Sequence, residues 1–162
     1  MPVRLALWRA ALIFVGLNLA WEITQLPLYT IWWTDPGPRI AFAVLHCTAG
    51  DLMIGAASLA AALLFVGRGW PEDCAARIRV VALTTLFGVG YTVFSEWLNV
   101  SARGSWAYTE WMPVLPPFGT GLTPILQWLI LPGLALHCAQ AIPARRPTIQ
   151  RTRSPKSPQQ PQ

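Results

Sequence analysis

Charge is what this chain has least of: only 12% of its 162 residues are Asp, Glu, Lys or Arg, about half the share of an ordinary soluble domain. So few charges cannot clothe a water-exposed globule. Cysteine is scarce and odd in number. Cys47, Cys74 and Cys138 sit in unrelated contexts, which excludes a disulfide-stapled secreted scaffold. Familiar chemical motifs are missing as well. No serine lies in Gly-x-Ser-x-Gly, no glycine-rich loop is built to hold phosphate, and Ser95, the serine nearest a carboxylate, has no histidine at helical spacing. The two His-Cys pairs, 46–47 and 137–138, fall toward opposite leaflets, and no His-x-x-x-His or Glu-x-x-His puts two strong ligands on one helical face, so no metal is expected. The net charge of +5 comes from basic residues at the ends of apolar segments and in the C-terminal stretch, without a recognition motif between them, so no nucleic-acid partner is expected.

What is present is apolar surface: 54% hydrophobic residues, nine tryptophans and a mean hydropathy of +0.42. At about 1.5 Å per helical residue, a hydrocarbon core of about 30 Å takes about 20 residues. Four runs meet that length: 8–28, 40–66, 80–100 and 119–142. They predict an all-α polytopic membrane protein, a four-transmembrane-helix bundle occupying residues 1–142. Residues 143–162 are basic, Pro-rich and nearly free of large apolar side chains, which predicts a disordered tail. Arg4 and Arg9 precede the first run as in a secretory leader. That run continues through Glu22 without a small-x-small cleavage site, so it reads as a retained helix.

Four spans put both termini and the 67–79 connection on one side. That side carries Arg4, Arg9, Arg68, Arg77, Arg79, Arg145, Arg146, Arg151, Arg153 and Lys156, against Arg39 and Arg103 on the other. The bias predicts an inner-membrane protein with both termini cytoplasmic. The Asn99-Val-Ser101 sequon then faces outward but abuts the bilayer, and no glycan is expected there.

Three of the seven acidic residues, Glu22, Asp51 and Glu96, fall inside the runs, where each charge costs about 3 kcal/mol at mid-bilayer. With His46, Gln25, Asn99 and Gln127 they all map to the outer half, whereas the inner half has almost nothing comparable except His137. Asn18, Glu22, Gln25 and Tyr29 share an arc of about 60° on the first helix; Thr85, Gly88, Thr92, Glu96, Asn99 and Arg103 share about 80° on the third. The two stripes are expected to face each other. Asp51 aligns with Gly55 and Ser58 and so points into the bundle, about 140° from His46. Thr120, Thr123 and Gln127 form a weaker stripe on the fourth helix, where Pro124 and Pro132 free backbone carbonyls. Tryptophan is skewed to the same end: Trp21, Trp32, Trp33, Trp97, Trp106 and Trp111, against Trp8 and Trp70 at the other. The 101–118 connection, rich in aromatics and proline, reads as a structured lid over the outer ends.

A plain account makes Glu22, Asp51 and Glu96 interhelical glue, pairing with His46, Arg103 and the amides. The sharper account is an outward-opening cavity for a lipophilic or amphipathic substrate. In it Glu22, Glu96, His46 and Asp51 do general acid–base chemistry, and Gln25, Asn99, Gln127, Arg103, Trp106 and Tyr108 bind the ligand. Membrane lipid and a lipophilic small molecule are the expected partners, a homo-oligomer is compatible, and the cofactor is unknown. Two other classes compete: a small proton-coupled transporter and a non-catalytic accessory subunit that docks partners or anionic lipid through the basic tail.

Glu22 with Trp21 and Tyr29 resembles the layout of small multidrug transporters, four-helix proteins with a membrane glutamate in the first helix. The long loops and the ten-to-two charge bias depart from that family, many of whose members insert in both orientations. Sterol-isomerase-type membrane proteins use comparable ingredients, by analogy alone. The stretches Trp21-Glu-Ile-Thr-Gln-Leu-Pro-Leu-Tyr29, His46-Cys-Thr-Ala-Gly-Asp51, and Trp106-x-Tyr108 with Met112-Pro113 through Leu126-Gln127-Trp128 resemble those of uncharacterised small four-helix bacterial inner-membrane proteins. That resemblance covers about residues 10–135 and implies the membrane architecture, with no transferable activity.

Overall fold

The structure is a computed structural model that describes residues 3–67 and 69–141. Residues 143–162, read from the sequence as a tail, lie outside the described part.

Four helices are long and apolar enough to cross a membrane, and with their short connections they make up a multi-pass bundle. α1 runs Val3–Gln25 and ends in a 3-10 turn, Leu26–Leu28; a short α2, Ile31–Thr34, follows; α3 spans Gly37–Val66. α4 runs Cys74–Glu96 and continues as a π-helical turn, Trp97–Ala102; a two-residue hairpin pairs β1, Val114–Leu115, with β2, Thr120–Gly121; α5 is Leu122–Ala141. α1 packs on α5 and α3, and α4 packs on α3 and α5, so α1 and α4 stand diagonally across the bundle. Helix α5 is the most enclosed, with 50% of its apolar window buried against 17–22% for the others.

Hydropathy marks the apolar core of each helix and not its ends. α4 begins six residues before the predicted 80 because Asp73 caps it, its carboxylate accepting the Ala76 backbone N–H at 2.8 Å. Pro36 and Pro38 start α3 before residue 40, where a missing N–H is harmless, and Gly67, at φ +70°, ends it. α5 starts at Leu122 because Thr120 and Gly121 belong to the hairpin.

Small residues let the helices close at the end opposite the lid, where Ala6, Ala10, Ala62, Val80, Leu136 and Ala139 pack around Trp70. Mid-bundle, two aromatic rings form a layer. Phe14 of α1 and Trp128 of α5 lie 5.9 Å apart. Phe14 fits against Gly55 of α3, where an added Cβ would come within 2.6 Å of its ring. Trp128 fits against Gly88 of α4, where the same atom would come within 1.9 Å. All four long helices contribute to this layer, and both glycines are needed for space rather than for backbone freedom.

The 101–118 connection is ordered and pinned to the segment after α1. Thr30 N donates to Ala107 O at 2.9 Å, Thr109 N to Leu28 O at 2.9 Å, and Leu122 N to Pro113 O at 2.7 Å. Tyr29 and Tyr108 meet edge to face at 5.4 Å, Trp33 and Trp111 at 5.5 Å, and Met112 is buried. These contacts tie the connection over the helix ends as a cap.

Candidate functional site

The polar stripe of α1 is buried along its length: Asn18, Glu22 and Gln25 face inward, and Tyr29 continues the line. On α4 the inward stripe is Thr84, Gly88, Thr92 and Glu96. Thr85, predicted to belong to it, is only half-buried. The four-residue step from Val80 sets the inward line one residue earlier than the sequence arithmetic did.

Gln127 of α5 joins three helices. Its Nε2 donates to Asp51 Oδ2 of α3 at 2.7 Å and to Asn18 Oδ1 of α1 at 2.9 Å, and lies 3.3 Å from Glu22 Oε1. An amide has two N–H groups, so the longest of the three is a shared contact. Gln25 Nε2 donates to the same Glu22 oxygen at 2.9 Å, and Trp21 Nε1 donates to Gln25 Oε1 at 3.1 Å. The Glu22 and Asp51 carboxyl groups also face one another. Asn18 closes the network downward by donating to Phe14 O at 2.7 Å.

Glu96 has a separate set of partners. It accepts the phenol of Tyr108, whose oxygen in turn accepts the Gly121 backbone N–H at 2.9 Å. Through Tyr108 the lid reaches a carboxyl group inside the bundle. Burial first, then the bond to Glu96, raises the Tyr108 phenol above the ordinary range, so it keeps its proton and donates. Burial, then the Glu96 charge, does the same to Tyr29. The Trp106 indole lies beside Glu96 as well, although among the described residues its buried N–H makes no direct hydrogen bond.

These groups wall a cavity of about 510 Å³ at the lid end of the bundle. Of the ten residues singled out from the sequence, Glu22, Glu96, His46, Asp51, Gln25, Asn99, Gln127, Arg103 and Trp106 line it, and Tyr108 stands behind Glu96. His46 is exposed at the edge and stacked on Phe42, with ring centroids 5.6 Å apart, away from the Gln127 cluster. Asn99 turns back on its own helix, donating to Ser95 O at 2.9 Å. Thr120 is buried without a partner for its hydroxyl, and Thr123 donates to Met112 Sδ at 3.4 Å, so of the α5 stripe only Gln127 enters the network. The π turn, closed by Arg103 N donating to Leu98 O at 2.9 Å, brings Asn99 and Arg103 to the wall.

Tyr91, Thr92, Ser95 and Cys47 also line the cavity, and sequence reasoning passed over all four as site residues. The available signal was spacing: Thr92 and Ser95 lie four and one residues before Glu96. Trp128 forms part of the floor. Beneath the Phe14–Trp128 layer lies a second cavity of about 480 Å³, lined by apolar residues with Thr84 as its one polar side chain. Among the described residues no group of three His, Cys, Asp or Glu is arranged to hold a metal ion. Comparison of the chain with protein families, with curated proteins and with solved structures finds no match.

Proposed function

We propose that this is an inner-membrane protein with both termini in the cytoplasm, whose lid-end cavity binds a lipophilic or amphipathic molecule and acts on it by general acid–base chemistry. The observation that carries this reading is the Gln127 junction: one amide holds Asp51, Asn18 and Glu22, from three different helices, at the wall of a cavity large enough for a ligand. Interhelical glue needs no cavity beside it. Glu22 and Asp51, both held by the Gln127 amide, are two carboxyl groups of the kind that deliver and receive protons in acid–base chemistry. Glu96, fixed by Tyr108, is the second acid–base group, on the opposite wall. Tyr29, Tyr91 and Trp106 offer aromatic faces to a developing positive charge.

The aromatic layer favours this reading over transport. A solute leaving the cavity toward the other side meets Trp128, buried and seated on Gly88, and then an apolar cavity.

Two experiments test the proposal. Reporter fusions after residues 35, 73 and 110 should read periplasm, cytoplasm, periplasm; the reverse pattern refutes the orientation. Lipophilic compounds extracted from the purified protein should include one that the wild type retains and Glu96→Gln loses by about tenfold or more, the effect of one charge-assisted hydrogen bond. Equal extracts from folded wild type and variant would remove Glu96 from the site.

A further inference from the structure

The two cations of the lid end line the same cavity. Arg39, in the first turn of α3, and Arg103, at the close of the π turn, are the only Lys or Arg residues of the 29–39 and 101–118 connections, and both line the mouth of the same cavity. The other ten basic residues belong to the opposite end or to the stretch beyond residue 141. A membrane protein that keeps so few positive charges on one side, and has both of them at one opening, has placed them for a ligand. Arg103 is exposed and makes no ion pair among the described residues, whereas Arg39 Nε lies 3.3 Å from Asp35 Oδ2 at the surface.

The shape of the opening indicates what kind of molecule it takes. The parts of the wall contributed by α1 and α5 are buried, while its exposed residues are confined to α3, to α4 with its π turn, and to Ser105. The mouth is thus bounded by α3 on one side and by α4 with the π turn on the other. Phe42 lies three residues beyond Arg39 and Tyr91 twelve before Arg103, and they are 67% and 50% exposed. At about 1.5 Å per residue, the slot runs from the arginines to roughly 18 Å below them, about the middle of a hydrocarbon core of about 30 Å. In a bilayer spanned by these helices its charged end would fall at headgroup level and its aromatic flanks among the lipid tails. A soluble anion would need only the first of these.

We propose that this slot admits an anionic membrane lipid, whose phosphate is held by Arg39 and Arg103 while its chain lies past Phe42 and Tyr91. The inference rests on the acid–base reading above and names the substrate class for that site. Guanidinium groups bind phosphate oxygens in pairs and from an exposed position, so they reach the headgroup without leaving the interface. The carboxyls of Glu22, Asp51 and Glu96 lie further in and disfavour an anion there. They face instead the uncharged part of the molecule next to its headgroup, which is where the acid–base step would act.

The test uses the full chain in phosphatidylcholine vesicles doped with photoactivatable phosphatidylglycerol or with the matching phosphatidylcholine probe. Phosphatidylglycerol adducts should concentrate on residues 39–47 and 91–106 and fall about tenfold or more in Arg39→Gln/Arg103→Gln. Both arginines are exposed, so the double variant should keep the wild-type unfolding temperature, and its ten remaining basic residues act as an internal control for general attraction to anionic lipid. Equal adducts from the two probes, or phosphatidylglycerol adducts that persist in the double variant, would overturn the inference. Adducts abolished by excess inorganic phosphate would overturn it too, by assigning the arginines to a soluble oxyanion. Glu96→Gln, assayed for its retained lipophile in parallel, separates the two claims: a lipophile lost there while the lipid adducts ignore the arginines leaves the acid–base reading standing and removes the anionic lipid alone.

Discussion

Gly88→Ala should lower the stability of the protein in mild detergent by about 3 kcal/mol, the upper end of the usual cost of overpacking. The added methyl would come within 1.9 Å of the Trp128 ring, with two more ring atoms at 2.5 Å. Trp128 is 2% exposed and packs against Phe14, so it has no free direction in which to turn. The comparison that isolates this cause is Gly55→Ala. Its methyl meets only the edge of Phe14, which is half-buried beside the apolar cavity and can rotate into it, so the loss should be clearly smaller. Trp128→Leu removes the ring and costs stability by itself, but in its presence Gly88→Ala should cost almost nothing further. Additive losses in the double variant would mean that Gly88 matters for another reason.

The second large effect is expected at Gln127. Gln127→Met preserves length and approximate volume while removing the Gln127 amide from Asp51, Asn18 and Glu22, and leaves Glu22 only its bond from Gln25. Interhelical hydrogen bonds in membranes average about 0.6 kcal/mol, so three amount to about 2 kcal/mol, less than the steric penalty at Gly88. The functional loss should be larger than this figure implies, because Asp51 and Glu22 lose the group that sets their relative position. Gln127→Met is therefore expected to unfold at a modestly lower temperature and to retain no ligand. A variant that loses stability as predicted but keeps its ligand would show that Gln127 is glue and nothing more.

Much of this arrangement is legible in the sequence, because a membrane leaves a chain few options. The four spans follow from apolar length. The α1 stripe follows from the spacing of Asn18, Glu22, Gln25 and Tyr29, and Asp51 was oriented correctly by its alignment with Gly55 and Ser58. What stayed hidden depends on contacts between segments distant in the chain. No local pattern tells that α1 and α4 stand diagonally, so that Glu22 and Glu96 share a cavity without their helices packing together. Helical arithmetic at 100° per residue accumulates error, which put Thr85 in the place of Thr84. The 140° between His46 and Asp51 separates the two on α3, and His46 lies at the cavity rim, but its stacking on Phe42 is a packing detail that spacing does not give. Gly88 and Gly55 were visible as small residues, but their partners, Phe14 and Trp128, come from other helices.

The central claim is that the buried carboxyls serve a ligand rather than the fold, and one paired measurement on Glu22→Gln/Asp51→Asn tests it most directly: unfolding temperature and bound lipophile, from the same preparation. The amides are near-isosteric and their oxygens still accept from Gln127 and Gln25, so the unfolding temperature should stay within about 4 °C of wild type. The facing pair, having lost its transferable proton, should retain no wild-type ligand. A variant that keeps its full complement of ligand, or one that unfolds far below wild type with no separate loss of ligand, would contradict the account.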